Sequence, residues 1–439
     1  MNHETMMLRE TLASGQLGLQ DYLLEALAMI RTRDAVVGAF EDLNEAQLTE
    51  AVEKLDTARR LGHHLGPLFG LPVGVKDIID VAGYPTGYGI AQRAQHFPLK
   101  DATLVRRLRA AGALVFGKTT TTPLASREPS RTRHPLDPRR GPGGSSSGSA
   151  AAVAAGFTPL AIGTQTNGSV IRPAAFCGVP ALKPSFGLIP RTGVLMQSPT
   201  LDQVGFFARD LDGLACLTEC LSGDDGEDAA SRGAPHLMLR RALQEQWTRP
   251  PRFAVVIPPA IGKPSSSMQD ALDELLAFLG DNAESVQYDY LIEDCLEAHA
   301  VIHAAEIAHQ YDHLANRDPQ VVPRGVAEQM QRGRELKAGA YFKAMAFRDR
   351  SRQSFQDTFD DFDVILTLSA LDSAPESPEN TGDPRPCTPW SLLGFPALHV
   401  PLFSDKDGLP LGVQIVAGPY QDARTLSVGK WLMDAVANA

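Results

Sequence analysis

A chain of 439 residues, 43 % hydrophobic and 21 % charged, has the composition of a globular enzyme with ample material for a core, and its length alone suggests two or three domains. A formal net charge of -11 argues against a nucleic-acid surface, since phosphate binding needs a basic patch, and no uninterrupted apolar run reaches about 18 residues, as a spanning helix requires. The opening stretch MNHETMMLRETLASGQ has no basic region followed by an apolar run and a cleavage site, so a cytoplasmic protein without nucleic-acid or membrane partners is expected.

Apolar residues recur at helical spacing from Leu19 to Phe40 and from Asn44 to Leu61, predicting two helices that clamp the core or contribute to a homodimer. Leu71 to Val75 reads as a strand that delivers Lys76 from an apolar setting, where desolvation lowers the lysine pKa toward a neutral base. A helix over Asp101 to Ala111 and a strand over Ala113 to Gly117 give the alternation of an α/β fold. The loop from Thr122 to Pro142 carries Arg127, Arg131, Arg133, Arg139 and Arg140, either to attract anionic substrates or as a solvated connection.

Glycine, serine and alanine then crowd Gly143 to Gly187, a composition poor for filling a core and good for exposing backbone. Ser145, Ser146 and Ser147 precede a predicted small-residue helix over Ala150 to Ala155. Thr158 to Gly163 reads as a buried strand from which Gln165 to Ser169 turns out before Pro173, placing Ser169 beside successive backbone N–H groups, as an oxyanion hole requires. A serine nucleophile needs a base, and this stretch has no histidine. Lys76 is the upstream alternative, with Ser145 carrying the proton if the gap is too wide: a Ser-Ser-Lys logic.

Past Gly205, Gly223 to Arg232 reads as a surface loop, Phe253 to Ile257 as a strand, and 267–279, 291–315 and 335–359 as helices. The second carries His299, His303, Glu306, His309 and His313 at three- and four-residue spacing. That pattern can chelate zinc, but it lacks the glutamate directly after the first histidine that a zinc-protease motif has, so a helix lining the substrate cleft is the preferred reading. Gly408 to Ala417 reads as the last strand and Asp422 to Val436 as a closing helix. The five cysteines form no CxxC pair and read as reduced thiols.

GGSSSGSAAAVAAG followed by GTQTNGSVIRPAAFCG, with LPVGVKD upstream, resembles the amidase signature family of serine hydrolases. The resemblance runs from about Pro67 to Gly205 and returns at DVILT, TGDPRPCTPWSLLGFPALHVP and GLPLGVQIV. It implies Lys76 as base, Ser145 as bridging serine on a cis peptide, Ser169 as acyl-forming nucleophile, Thr166, Asn167 and Gly168 as oxyanion donors, and no metal or other cofactor; Lys183 it leaves structural. It also implies one α/β domain over 1–439 with a mixed twisted sheet flanked by helices: N-terminal helices over 1–66, a catalytic core over 67–221, a variable helical cap over 222–360 and a return to the core over 361–439.

Where most of the family reads Asp-Thr-Gly-Gly-Ser-Ile-Arg, this chain has Gln165-Thr166-Asn167-Gly168-Ser169-Val170-Ile171-Arg172. That variant is similar to the malonamidase-like branch and implies a small primary amide carrying a carboxylate, such as malonamate. Arg172 either holds that carboxylate or ties down local carbonyls, and Ser146 and Gln165 are further substrate-contact candidates. A glutaminase subunit of a tRNA-dependent amidotransferase, or an amidase for aryl amides, peptide amides or ureido acids, are the alternatives. Asn167 replaces a glycine, so its tolerance of left-handed backbone and its side chain's effect on the pocket enter the reading.

Overall fold

The computed structural model describes residues 4–93 and 95–438; residues 1–3 of the stretch read for a leader lie outside them. Short apolar runs dominate the strands, as expected where both faces of a sheet are covered. They are β1 (Phe40–Asp42), β2 (Pro72–Lys76), β3 (Leu114–Thr119), β4 (Leu160–Gln165), β5 (Ala181–Lys183), β6 (Gln203–Ala208), β7 (Phe253–Val255), β8 (Ala283–Ser285), β9 (Val364–Leu368), β10 (Ala397–Ser404) and β11 (Pro410–Val416). All join one sheet in the order β1-β3-β2-β4-β6-β5-β10-β11-β9-β7-β8. Strands β3, β2 and β4 run parallel, as do β9, β7 and β8, and antiparallel pairings connect these two blocks. A single α/β domain with a large mixed sheet flanked by helices is the expected architecture.

The parallel pair β2–β4 places the site. Val75 stands opposite Ile162, so Lys76 and Thr164 emerge at the same carboxyl edge, where open α/β sheets bind their ligands. Between β3 and β4 the helix Ser147–Ala154 packs its small residues directly on backbone: a Cβ built on Gly148 would lie 2.3 Å from the Ala39 carbonyl oxygen and 2.4 Å from the Thr120 nitrogen. The N-terminal helices bury Leu23, Leu27, Ile30, Leu48 and Val52 in a cluster with Phe40, Phe116 and Phe157, so they clamp this end of the sheet.

Helix ends depart from the sequence expectation for identifiable reasons. The first long helix stops at Val37 because Gly38 takes a left-handed cap (φ 64°), which frees Phe40 to start β1. The single helix expected over 291–315 divides into Asp289–Gln310 and Asp312–Arg317 around Tyr311, whose buried side chain donates to the Leu124 carbonyl at 3.2 Å. The one expected over 335–359 divides at buried Phe355, and the helix Arg324–Glu335 was not anticipated. The stretch 222–360 is also not purely helical, since β7 and β8 extend the sheet next to β9 through the apolar run at Phe253. Pro173, read as a bar to strand pairing, lies in the first turn of the helix Ile171–Cys177, where a missing N–H costs nothing. Among the described residues no helix is long and apolar enough to cross a membrane.

The contact at Gly148 makes a prediction about stability. Gly148→Ala should lower the apparent unfolding free energy by about 1–3 kcal/mol, because the colliding atoms are backbone and cannot rotate away. Chemical denaturation followed by circular dichroism checks this, and an unchanged midpoint would contradict the close approach.

Candidate active site

Lys76 closes β2 with its side chain fully buried, its Nζ 2.8 Å from Ser145 Oγ and 2.8 Å from Thr164 Oγ1. Burial pushes its pKa down to about 7, and the charge of Asp202 opposes that shift only in part. Two other buried lysines clarify what this means. Lys118 forms an ion pair with Asp77 at 3.0 Å. Lys183 is also pushed down to about 7 by burial, yet its Nζ faces Gln203 Oε1 at 2.6 Å and the Phe395 and Pro184 carbonyls, groups that only accept. The partners of Lys76 are both hydroxyls, which can surrender a proton to a neutral amine. The bonding partners, rather than the depressed pKa, separate Lys76 from Lys183.

Ser145 follows a non-proline cis bond after Gly144, and its carbonyl accepts from the Thr122 N–H and the Thr121 hydroxyl, both at 3.2 Å. Ser146 does not reach the cleft: it is buried, and its hydroxyl meets the backbone N–H and carbonyl of Thr164, each at 3.2 Å, tying the serine turn to β4. Ser147 pairs with Ser130 at 2.7 Å.

The second turn, Gln165 to Ser169, is held from behind. Gln165 Oε1 accepts from the Val170 and Ile171 N–H groups at 2.8 and 3.0 Å, and its Nε2 donates to Ser391 Oγ at 2.9 Å, so this side chain fastens the turn and is not free for a substrate. Thr166 Oγ1 donates to Asp202 at 2.6 Å. Thr388 Oγ1 donates to Asn167 Oδ1 and Ser391 Oγ to the Asn167 carbonyl, both at 2.5 Å. Asn167 is not among the residues with positive φ, so tolerance of left-handed backbone is not what admits it here; its side chain reaches the cleft wall, fixed by Thr388. Among the described residues, the N–H groups of Asn167, Gly168 and Ser169 donate to no protein group. That is the arrangement a developing oxyanion needs.

Thr166, Asn167, Ser169 and Arg172 face one cleft of about 530 Å³. Arg172 is buried and donates Nη2 to the Gly144 carbonyl at 2.7 Å, which draws the Ser169 turn against the peptide that carries Ser145. Its Nε and Nη1 have no partner among the described residues, and burial lowers its pKa to about 10, leaving it charged at neutral pH. Of the two sequence alternatives, the structure shows the tie to a local carbonyl, made by Nη2; Nε and Nη1 are buried and unbonded among the described residues. Of the arginine-rich loop only Arg127 lines the cleft; Arg131 and Arg139 pair with Glu41 and Asp137, Arg140 reaches the Ala374 carbonyl, and Arg133 bonds its own loop.

The histidine series lies on the helix Asp289–Gln310 and just beyond it. His299 and His303 enter the cleft wall, with Nε2 3.0 Å from the Thr166 carbonyl and 3.1 Å from Gln197 Oε1, respectively. Glu306 is taken up by Ser198, Thr200 and Tyr341, while His309 and His313 are exposed. No three His, Cys, Asp or Glu side chains among the described residues stand together as a metal site. The cleft-lining reading of the histidine helix agrees with the positions of His299 and His303. Thr164, Asp202, Thr388 and Ser391 are site residues that sequence reasoning missed; Thr388 and Ser391 do sit within the TGDPRPCTPWSLLG stretch that resembles the family.

Residues 21–426 match the family model described as Amidase. The chain is 34% identical over 457 residues to a Glutamyl-tRNA(Gln) amidotransferase subunit of Symbiobacterium thermophilum, covering 94% of this chain and 93% of that protein. It is 30% identical over 469 residues to the corresponding subunit of Alkaliphilus metalliredigens, covering 96% and 94%. Among solved structures, one described as an unexpected vestigial protein complex that reveals the evolutionary origins of an s-triazine catabolic enzyme superposes with a TM-score of 0.91 at 29% identity, covering 99% and 98%. A crystal structure of an amidase superposes with a TM-score of 0.83 at 28% identity, covering 99% of each chain.

The depressed pKa of Lys76 has a thermodynamic signature. Between about pH 7 and the usual lysine value of about 10.4, the unfolded chain holds a proton on Lys76 that the folded chain does not, so this group's contribution to stability grows as pH rises through that window. Lys76→Met removes the dependence. The stability of the variant relative to the parent should therefore be highest at or below pH 7 and fall steadily toward pH 10, as denaturation at several pH values will show. A difference that does not change with pH would mean that Lys76 carries an ordinary pKa.

Proposed function

The chain belongs to the amidase signature family of C–N hydrolases, and from that premise we propose that it hydrolyses a small, carboxylate-bearing primary amide through an acyl-enzyme on Ser169. In this reading neutral Lys76 accepts a proton from Ser145 as Ser145 accepts one from Ser169, and Ser169 Oγ bonds to the amide carbon. The N–H groups of the 166–169 turn hold the resulting oxyanion. The C–N bond breaks as the proton returns through Ser145 to the departing ammonia. Water then attacks the ester, giving up its proton along the same relay, and the acid leaves with Ser169 restored.

The observation that carries the substrate class is the state of Arg172: three residues beyond Ser169, buried, charged, and with two nitrogens unspent. A carboxylate admitted there would offset the desolvation of the guanidinium with a charge-assisted bond, while the amide carbonyl of the same small molecule faces Ser169. This matches the malonamidase-like reading of the motif. The helices of 222–360 that wall the cleft are proposed to set which amides fit.

A second reading has its own support. The relatives at 30 and 34% identity are amidotransferase subunits, and on that ground this chain would release ammonia from glutamine for a partner complex; glutamine also carries a carboxylate for Arg172. The two readings divide on whether the isolated chain suffices.

Ammonia release by the purified chain, without ATP, should therefore be measured on malonamate, a size-matched neutral amide and glutamine. Efficient turnover of malonamate alone is the expected result. Turnover confined to the neutral amide would sink the carboxylate clamp, and activity on glutamine that emerges only with a partner protein would favour the amidotransferase reading. Ser169→Ala and Lys76→Ala should each lose at least about a thousandfold in kcat. Arg172→Met should raise KM for malonamate by about tenfold or more while sparing the neutral amide. Because Lys76 must be neutral to act, kcat/KM should climb as pH rises through about 7 and then level off. A flat profile from about pH 5.5 to 9 would remove Lys76 as the base.

A further inference from the structure

The turn that carries Ser169 lines the cleft with the N–H groups of Asn167, Gly168 and Ser169 unbonded among the described residues, and side chains hold carbonyls of the same peptides. A trans peptide points its C=O and N–H in opposite directions, so a donor that fixes the carbonyl also aims the N–H. Two successive peptides are fixed in this way. The Thr166 carbonyl, whose peptide carries the Asn167 N–H, meets His299 Nε2 at 3.0 Å; the Asn167 carbonyl, whose peptide carries the Gly168 N–H, accepts from Ser391 Oγ at 2.5 Å.

A carbonyl oxygen can only accept, so His299 Nε2 is the nitrogen that carries the proton. The ring is 3 % exposed and packs edge-on against His303 with centroids 5.6 Å apart. The helix beneath it is anchored on the core. One turn on, His303 meets Gln197 Oε1 at 3.1 Å; that oxygen is the free end of a carboxamide whose Nε2 donates to the Leu124 and Ala125 carbonyls. Two turns on, Glu306 accepts the Thr200 N–H at 3.0 Å and the Tyr341 hydroxyl at 2.7 Å. Burial lowers the pKa of His299 to about 4, so the ring stays neutral across the working range with one N–H to give.

We propose that His299 is a positioning residue for the oxyanion hole: by holding the Thr166 carbonyl it aims the Asn167 N–H at the oxygen of the substrate. The proposal rests on Ser169 being the nucleophile. It gives the histidine-bearing helix a part in the rate of the reaction as well as in the shape of the cleft.

A fluorophosphonate tests it without a known substrate. Ser169 Oγ bonds to phosphorus, fluoride leaves, the serine proton passes to the Ser145–Lys76 relay, and the phosphoryl oxygen sits where the oxyanion would. Second-order labelling rates, read by intact mass, should fall about 10- to 100-fold in His299→Leu. His299→Gln, which keeps an N–H donor of similar reach, should stay within about fivefold of the parent. Should the leucine variant fail to fold, His299→Asn, whose amide falls short of the carbonyl, takes its place with the same expectation. Labelling of the leucine or asparagine variant at the parent rate, or equal slowing in the glutamine variant, would overturn the proposal and leave the nucleophile assignment standing. A parent chain that is not labelled at Ser169 at all would overturn both.

Discussion

An amine taken out of water without a carboxylate bonded to it is the constraint on which the rest of this structure turns. Desolvation of Lys76 favours its neutral form, and the opposing influence is the charge of Asp202, which is engaged with Thr166, Gln197 and Ser198. Had Lys76 been given the kind of partner that Lys118 has in Asp77, the proton would be held and the lone pair lost. The surrounding architecture keeps that from happening. Parallel pairing of β2 and β4 brings the lysine beside the Thr164 hydroxyl, and the glycine-rich turn before the helix Ser147–Ala154 lets Ser145 reach the same nitrogen.

Around the Ser169 turn the problem is reversed: backbone donors must be left unspent without the turn losing its shape. Side chains solve this by gripping carbonyls and neighbouring N–H groups. Gln165, Thr166, Thr388, Ser391 and His299 all bond to the turn or across it, and Arg172 ties it to the Gly144 carbonyl. Side chains that grip the turn from several sides restrain it, and a restrained turn lets donors wait for a charge that arises only during reaction.

Much of this could be read from the sequence because motifs encode local geometry. The strand that ends in Lys76, the serine turn and the strand-to-turn passage at Gln165 are each a few contiguous residues whose composition dictates backbone. Arg172 was legible as a candidate, but which of its N–H groups would be spent was not, since that depends on where Gly144 falls in space. Ser146 and Gln165 illustrate the converse: they adjoin the site in sequence, yet their side chains turn inward to bond β4 and the Ser169 turn. The helix of His299 was legible as a wall of the cleft, but its bond to the Thr166 carbonyl was not, because periodicity tells which face a residue occupies and not which atom that face meets. The divided helices at Tyr311 and Phe355 escaped for a related reason, each being interrupted where a large side chain enters the core.

The contact between His299 and the Thr166 carbonyl joins two parts of the chain that would otherwise be free to change separately. The helix Asp289–Gln310 forms a wall of the cleft, so it is where a new substrate would be accommodated, yet a shift of that wall displaces a donor from the turn beside Ser169. Selectivity and turnover are therefore not independent variables in this scaffold. Widening the cleft through this helix would carry a rate penalty even for substrates that fit.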